Sequence, residues 1–276
     1  MRRPTVALAS LVAGAMIAGM LLCSVARAQE RDPVRFRQHM PMYFSTDYSN
    51  SVLREEGESP NVKAQASMAA SVLRAPVVIG GLHFDPYLAF TWRAVDWPVG
   101  AESSPIQENN YLPEAFIRIN ENGDGLYRGA RVGWLHNSSG TDSMSASIDR
   151  VLLETKFAHD VLFSFGGSPA TLYLYGYVRG WYVMGTGMET EGIKDYINFG
   201  MLEDVGGELM AVAEIPEAVR AVVTLGLSYQ NYELYIPLAK AYDLSLFGQL
   251  YNGYADGIMN YADRHTSGGV GIALVR

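Results

Sequence analysis

Residues 62–73 read V-K-A-Q-A-S-M-A-A-S-V-L. Ala64, Ala66, Met68, Ala70 and Val72 share one parity, and Lys63, Gln65, Ser67 and Ser71 share the other. A period of two with one apolar and one polar side describes a β-strand, not a helix. The pattern returns at Thr171–Arg179, where Leu172, Leu174 and Val178 oppose Tyr173, Tyr175, Tyr177 and Arg179. It returns again at Arg220–Gln230 and at Asp243–Gln249. Turn signals punctuate these segments. Asn122-Gly123-Asp124-Gly125 is a hairpin turn by composition, and Gly166-Gly167-Ser168-Pro169 and Gly206-Gly207 are further candidates. The reading places strands at 38–47, 61–73, 83–95, 111–121, 127–138, 146–158, 170–184, 205–215, 219–230, 232–239, 243–253 and 267–275, with 193–202 ambiguous. About twelve strands is an even number within the range of bacterial outer-membrane barrels. The expected fold class is therefore all-β, a transmembrane antiparallel β-barrel of about 12 strands.

The N-terminus agrees with export. Met1-Arg2-Arg3 precedes an apolar run from Val6 to Leu22, and Ala26-Arg27-Ala28 follows. A basic start, an apolar middle and an A-x-A ending describe a signal peptide over 1–28, leaving one barrel domain over 29–276. Cys23 is the only cysteine and falls in the signal, so no disulfide is available to the exported chain. After cleavage 18 basic and 29 acidic side chains remain, a net charge of −11, which speaks against a nucleic-acid partner. Seventeen tyrosines, 28 glycines and 49% hydrophobic residues suit a barrel whose apolar residues are spread one in two. A soluble β-sandwich or lipocalin-like barrel has the same composition but buries the apolar parity.

An even strand number with a periplasmic N-terminus sends odd-numbered strands outward. Links after even strands should then be short turns, and links after odd strands longer external loops. On the fifth strand His136 and Ser138 share parity with Ala130, Val132 and Trp134. On the sixth, Asp149 shares parity with Val151, Leu153 and Phe157, opposite Arg150, Glu154 and Lys156. His136, Ser138 and Asp149 thus fall on the lipid-facing side of two neighbouring strands, near the external rim.

Polar groups facing hydrocarbon are costly unless paired or functional. A serine needs a base to become a nucleophile, and an imidazole base needs an acceptor holding its other nitrogen. The i, i+2 spacing puts base and nucleophile on one face, and the adjacent strand supplies the acceptor. The same H-x-S triplet also suits a histidine that snorkels to the headgroups, and spacing alone leaves both readings open.

These residues resemble the outer-membrane phospholipase A family. The family's H-x-S-N-G, Ser-rich loop and N-R are similar to His136-Asn137-Ser138-Ser139-Gly140, then Ser143, Ser145 and Ser147, then Asp149-Arg150. Ser103-Ser104-Pro105 with Asn110-Tyr111-x-Pro113, Trp181-Tyr182-Val183 with Gly185, and Tyr251–Tyr261 resemble three further family segments. The resemblance spans about 38 to 275. It implies calcium-dependent hydrolysis of phospholipid esters (phospholipase A1, A2 and lysophospholipase) in the outer leaflet of the outer membrane. His136 would be the base, Ser138 the nucleophile and Asp149 the orienting group. The Ser138 and Gly140 backbone N–H groups would form the oxyanion hole. Calcium (Ca2+) would be held by the Thr141 and Ser145 carbonyls, by Glu189 and by Ser103 of a partner chain in a reversible homodimer, all oxygen donors.

The chain departs from the family at several of these positions. Asp149 stands where the family has asparagine, Ser139 where it has asparagine, Thr141 where it has arginine and Glu189 where it has aspartate. A glutamine that helps the family dimerise falls near Trp92. The loop from 136 to 149 is one residue shorter than the family form. His83, His159 and His265 are scattered without metal-ligand spacing, and Asp256 and Asp263 read as solvated loop residues. The alternatives are a non-enzymatic pore or structural barrel, and a lipid A deacylase, which has a smaller barrel.

Overall fold

The computed structural model describes residues 36–49, 61–98, 108–120, 125–139, 146–165, 168–200, 202–239, 243–259 and 261–275. The expected signal peptide and the hairpin tip at Asn122 to Asp124 lie outside the described residues. Twelve long strands follow in order: β1 (Met42–Ser49), β2 (Asn61–Ser71), β3 (Leu82–Pro98), β4 (Glu108–Ile119), β5 (Tyr127–Ser139), β6 (Ser147–Phe165), β7 (Ser168–Thr186), β8 (Leu202–Ile215), β9 (Val219–Gly226), β10 (Tyr229–Ala239), β11 (Leu244–Gly253) and β12 (His265–Leu274). Each pairs with its neighbour in sequence, and β12 pairs antiparallel with β1 from Ser267↔Ser49 to Leu274↔Met42. The sheet therefore closes and leaves no edge along the barrel wall. Twelve strands are more than the smaller barrel of a lipid A deacylase would have.

The alternation of the sequence becomes the two faces of the wall. Met68, Leu88, Phe90, Val132, Trp134, Val151, Leu153, Val178, Leu234, Leu250 and Val270 are exposed on the outside. Lys63, Gln65, Glu114, Arg131 and Glu154 are buried inside. An apolar outside around a charged inside is the inverse of a soluble barrel, and it matches hydrocarbon as the surrounding solvent.

The interior is cross-linked by ions. Glu154 meets Arg179 at 2.6 Å and Arg131 at 3.0 Å. Arg131 also meets Glu114 at 3.3 Å, and the Glu114 carboxylate accepts from His39 Nε2 at 2.8 Å. Arg179 reaches Glu208 at 3.0 Å. Each of these buried charges has an opposite partner, the condition for tolerating it there. A cavity of about 530 Å³ remains among these groups, bounded by residues such as Arg93, Tyr175 and Met210.

Several local features differ from expectation, and Gly206-Gly207, read as a turn, lies within β8. The strand expected at 38–47 is interrupted: Phe36–Arg37 pairs with Ala70 and Ala69, then Gln38–Pro41 leaves the wall before β1. Pro41 lacks a ladder donor, and its carbonyl is taken by the Gln65 side chain at 2.7 Å. The interruption turns His39 inward onto Glu114. Second, the link between β9 and β10 is only Leu227–Ser228, so that odd-to-even link is not a long loop. Conversely, the even-to-odd link after β2 runs from Val72 to Gly81 and carries a short strand, Val77–Ile79, folded back on β3. Third, the ambiguous 193–202 stretch holds the end of a 3₁₀ turn (Met188–Ile193), one helical turn (Lys194–Ile197) and a bridge at Asn198–Phe199. Such short pieces carry no readable period.

The end of the barrel bearing Ser139 and Ser147 is capped. Ile193, Ile197 and Ile258 pack with Leu112, Leu135, Ile148 and Trp181 in one apolar cluster. Glu108 accepts the Met259 backbone N–H at 3.0 Å and also that of Ile258. Gly257 permits this approach, since a Cβ there would fall 2.1 Å from the Glu108 carboxylate. Asp256 is not solvated as expected. It is 6% exposed and contacts Lys63 at 2.5 Å, Arg93 at 3.4 Å and His265 at 3.5 Å. Asp263 stays half-buried, and its carbonyl lies 3.4 Å from His265 Nδ1.

Burial pushes the Asp256 carboxyl up, but Lys63, then the His265 hydrogen bond and Arg93, hold it well below the usual carboxylate range. A carboxyl depressed in the folded state stabilises that state above its unfolded pKa, near 4, and the contribution fades as pH falls below that value. The thermal midpoint of the wild type is therefore expected to drop between about pH 5 and pH 3. Asp256→Asn should start lower at pH 7 and change less across that window. Parallel pH dependence of the two proteins would remove Asp256 as the source.

Candidate active site

The β5 sequence Y-R-G-A-R-V-G-W-L-H-N-S-S places Arg131, Leu135 and Ser139 inside and Val132 and Trp134 outside. His136 and Ser138 continue the outward parity, both half-buried. On β6, Val151 and Leu153 are exposed outside and Leu152 and Glu154 are buried inside, so Asp149 also faces outward. The register then brings the two strands' polar residues together, because His136 pairs with Asp149 and Ser138 with Ser147.

His136 Nδ1 lies 3.0 Å from Asp149 Oδ1. A carboxylate only accepts, so this bond puts the proton on Nδ1 and leaves Nε2 as the free acceptor. Ser138 lies two residues along the same face, toward the strand end. The His136 and Asp149 side chains are 26% and 35% exposed, enough shelter to strengthen the bond without closing the pair off from the surroundings. Trp134 was not picked out from the sequence as a site residue. Its Nε1–H donates to the same Asp149 oxygen at 3.1 Å, and its ring lies over His136 with centroids 5.9 Å apart. Shared strand parity was the available signal for it, but the diagonal reach to β6 follows only from the register.

The other expected site residues divide by position. Ser103, Gly140, Thr141 and Ser145 lie outside the described residues. Glu189 sits in the 3₁₀ turn Met188–Ile193 that follows β7. That turn begins beside the start of β6, where the Gly187 N–H donates to the Ser147 carbonyl at 2.8 Å and Thr186 pairs with Ile148. Glu189 therefore belongs to an element adjoining the start of β6. Serine hydroxyl, backbone carbonyl and carboxylate are all hard oxygen donors, a set whose chemistry suits calcium. Among the described residues no group of three or more His, Cys, Asp or Glu side chains converges as a metal cluster. Trp92, near which the family's dimerising glutamine is expected to fall, donates its Nε1–H to Asn109 at 3.0 Å.

Comparison with known proteins gives a consistent set. The sequence model of the family "Phospholipase A1" matches residues 22–186. Phospholipase A1 of Proteus vulgaris is 25% identical over 279 residues, covering 95% of this chain and 87% of that protein. Phospholipase A1 of Escherichia coli K12 is 24% identical over 226 residues, covering 80% and 71%. Among solved structures, outer membrane phospholipase A from Escherichia coli superposes with a TM-score of 0.69 at 20% identity, covering 87% of this chain and 94% of that one. The outer membrane phospholipase of Salmonella typhi, a dimer with bound calcium, superposes with a TM-score of 0.68 at 21% identity, covering 92% and 97%.

Proposed function

This chain belongs to the phospholipase A1 family, and from that premise we propose that it is a calcium-dependent serine-type phospholipase of the bacterial outer membrane. In this reading residues 1–28 are a signal peptide and 29–276 a single barrel. The capped end faces outward, so the site lies near the external rim and meets the outer leaflet. The observation that carries the reading is the 3.0 Å bond between His136 Nδ1 and Asp149 Oδ1 on the lipid-facing wall, with Ser138 next on the same face. A polar pair in that position has little structural purpose, and a lipid ester is the substrate that reaches it. The cap over the lumen weighs against a pore.

Ser138 Oγ attacks the ester carbonyl carbon while His136 Nε2 takes its proton. Asp149 holds the imidazole in the required tautomer and stabilises the imidazolium that forms. The Ser138 and Gly140 N–H groups receive the developing oxyanion. The tetrahedral intermediate expels the lysophospholipid alkoxide, which takes the proton from His136 Nε2. Water, deprotonated by the same nitrogen, then attacks the acyl-serine and releases the fatty acid. Ser138 regains its proton from His136. The same steps apply to sn-1 and sn-2 esters and to lysophospholipids, hence A1, A2 and lysophospholipase activity. Asp149 in place of asparagine is compatible with each step, since a carboxylate is the stronger acceptor for the Nδ1–H.

The Thr141 and Ser145 carbonyls, Glu189 and Ser103 of a second copy would hold calcium, which polarises the ester carbonyl when bound. Those donors come from two chains, so the active form is a homodimer, as in the Salmonella typhi structure. The test is hydrolysis of phosphatidylcholine by the purified barrel in detergent. Chelation of calcium is expected to lower the rate about a hundredfold, reversibly. A rate insensitive to chelator would overturn calcium dependence, and no hydrolysis in either condition would overturn the enzyme.

A further inference from the structure

We propose that Trp134 is a positioning residue of this site, holding the Asp149 carboxylate in place through its indole N–H. The proposal rests on the reading of His136, Ser138 and Asp149 as the reacting set. Asp149 is an unusual group to leave on a lipid-facing wall, because a carboxylate there needs donors to replace water. Two reach it. His136 Nδ1 approaches Oδ1 at 3.0 Å, and Trp134 Nε1 approaches the same oxygen at 3.1 Å.

The second donor is built by strand geometry. Trp134 and His136 share the outer face of β5, and β6 lies beside it with Asp149 opposite His136 and Val151 opposite Trp134. The indole therefore runs diagonally to reach Asp149, within the range of long side chains across a strand pair. A tryptophan on a barrel exterior commonly sits at the membrane interface with its N–H toward water. Here the N–H is committed to a carboxylate, and the ring covers the imidazole at 5.9 Å between centroids and 23° between planes.

Both contacts matter most when His136 becomes charged. A hydrogen bond to an ionised acceptor is stronger than one between neutral groups, and it restrains the oxygen that faces Nδ1. The aromatic face is also attractive to an imidazolium at that separation. Trp134 thus acts on the step in which Ser138 loses its proton, and only through Asp149 and His136.

The test is a double-mutant cycle in phosphatidylcholine hydrolysis with Trp134→Phe and Asp149→Ala. Phenylalanine keeps an aromatic face and an apolar exterior while deleting the N–H. In the otherwise wild-type barrel Trp134→Phe should lower kcat about tenfold with KM within about twofold. In the Asp149→Ala background the same change should cost less than about twofold, because the donor then has nothing to hold. Circular dichroism of each variant monitors the barrel. Equal losses in both backgrounds, or a change confined to KM, would make Trp134 a lipid-contact residue and overturn the proposal. Ser138→Ala separates the two failures. If it hydrolyses as well as wild type, the reading of the site falls and the role of Trp134 with it. If hydrolysis needs Ser138 but Trp134→Phe is silent, only the Trp134 proposal falls.

Discussion

Ser138→Ala is expected to reduce phospholipid hydrolysis on the order of 10³-fold or more while leaving the barrel folded. Ser138 is near the end of β5, paired with Tyr111 and Ser147, and its side chain points outward. Removing the hydroxyl leaves the closed hydrogen-bond ladder and the interior ion network intact. In the proposed mechanism it deletes the atom that would form the acyl intermediate. His136→Ala should cause a loss of similar size, because nucleophile and base act as one unit. The effects should not add in the double variant. The check is single-substrate turnover in detergent for the three variants beside wild type. Losses that multiply would mean that Ser138 and His136 work independently and do not form a nucleophile–base pair.

Glu154→Ala is expected to destabilise the barrel by roughly 3–5 kcal/mol, the cost of stranding buried cations. Glu154 is 2% exposed and its Oε2 receives Arg179 at 2.6 Å and Arg131 at 3.0 Å. Arg131 keeps Glu114 and Arg179 keeps Glu208, so neither cation is left wholly alone. The two arginines nevertheless lose the carboxylate that lies between them. Alanine also removes packing at the middle of the β6 wall, where Glu154 pairs with Arg131 and Arg179 in the ladders on either side. Denaturant unfolding in detergent of wild type, Glu154→Ala and the exposed control Asp160→Ala measures the difference. A change below about 1 kcal/mol would show that the cavity admits water or counterions that replace Glu154.

The barrel was legible because parity persists over every long strand. Lys63, Gln65 and Ser67 on one side and Ala66, Met68 and Ala70 on the other already define β2 as a wall with a polar inside. What escaped was decided by tertiary contact. Asp256 reads as a loop residue, yet Lys63, Arg93 and His265 from distant strands converge on it. The break at Gln38–Pro41 depends on Gln65 donating to the Pro41 carbonyl and on Ser67 accepting from the Met40 N–H. The short turn at Leu227–Ser228 carries no strong glycine–asparagine signal, so the strand before it read through to Gln230.

The candidate site was legible to a similar depth. Strand parity alone put His136, Ser138 and Asp149 on one face, and the register joined His136 to Asp149. Parity cannot see a diagonal, so the contact of Trp134 with Asp149 follows only from the strand register. One departure from the family pattern falls on this same cluster. Asp149 is the carboxylate variant of an asparagine position, and it is the residue that gathers two donors on one oxygen.

The measurement that bears most directly on the account is the intact mass of the barrel after exposure to a fluorophosphonate phospholipid analogue, which phosphonylates activated serines. The account predicts one adduct per chain, mapped to Ser138, formed by wild type and absent from Ser138→Ala and His136→Ala. An adduct on another residue, or phospholipid hydrolysis by a barrel that forms none and still turns over as Ser138→Ala, would contradict it.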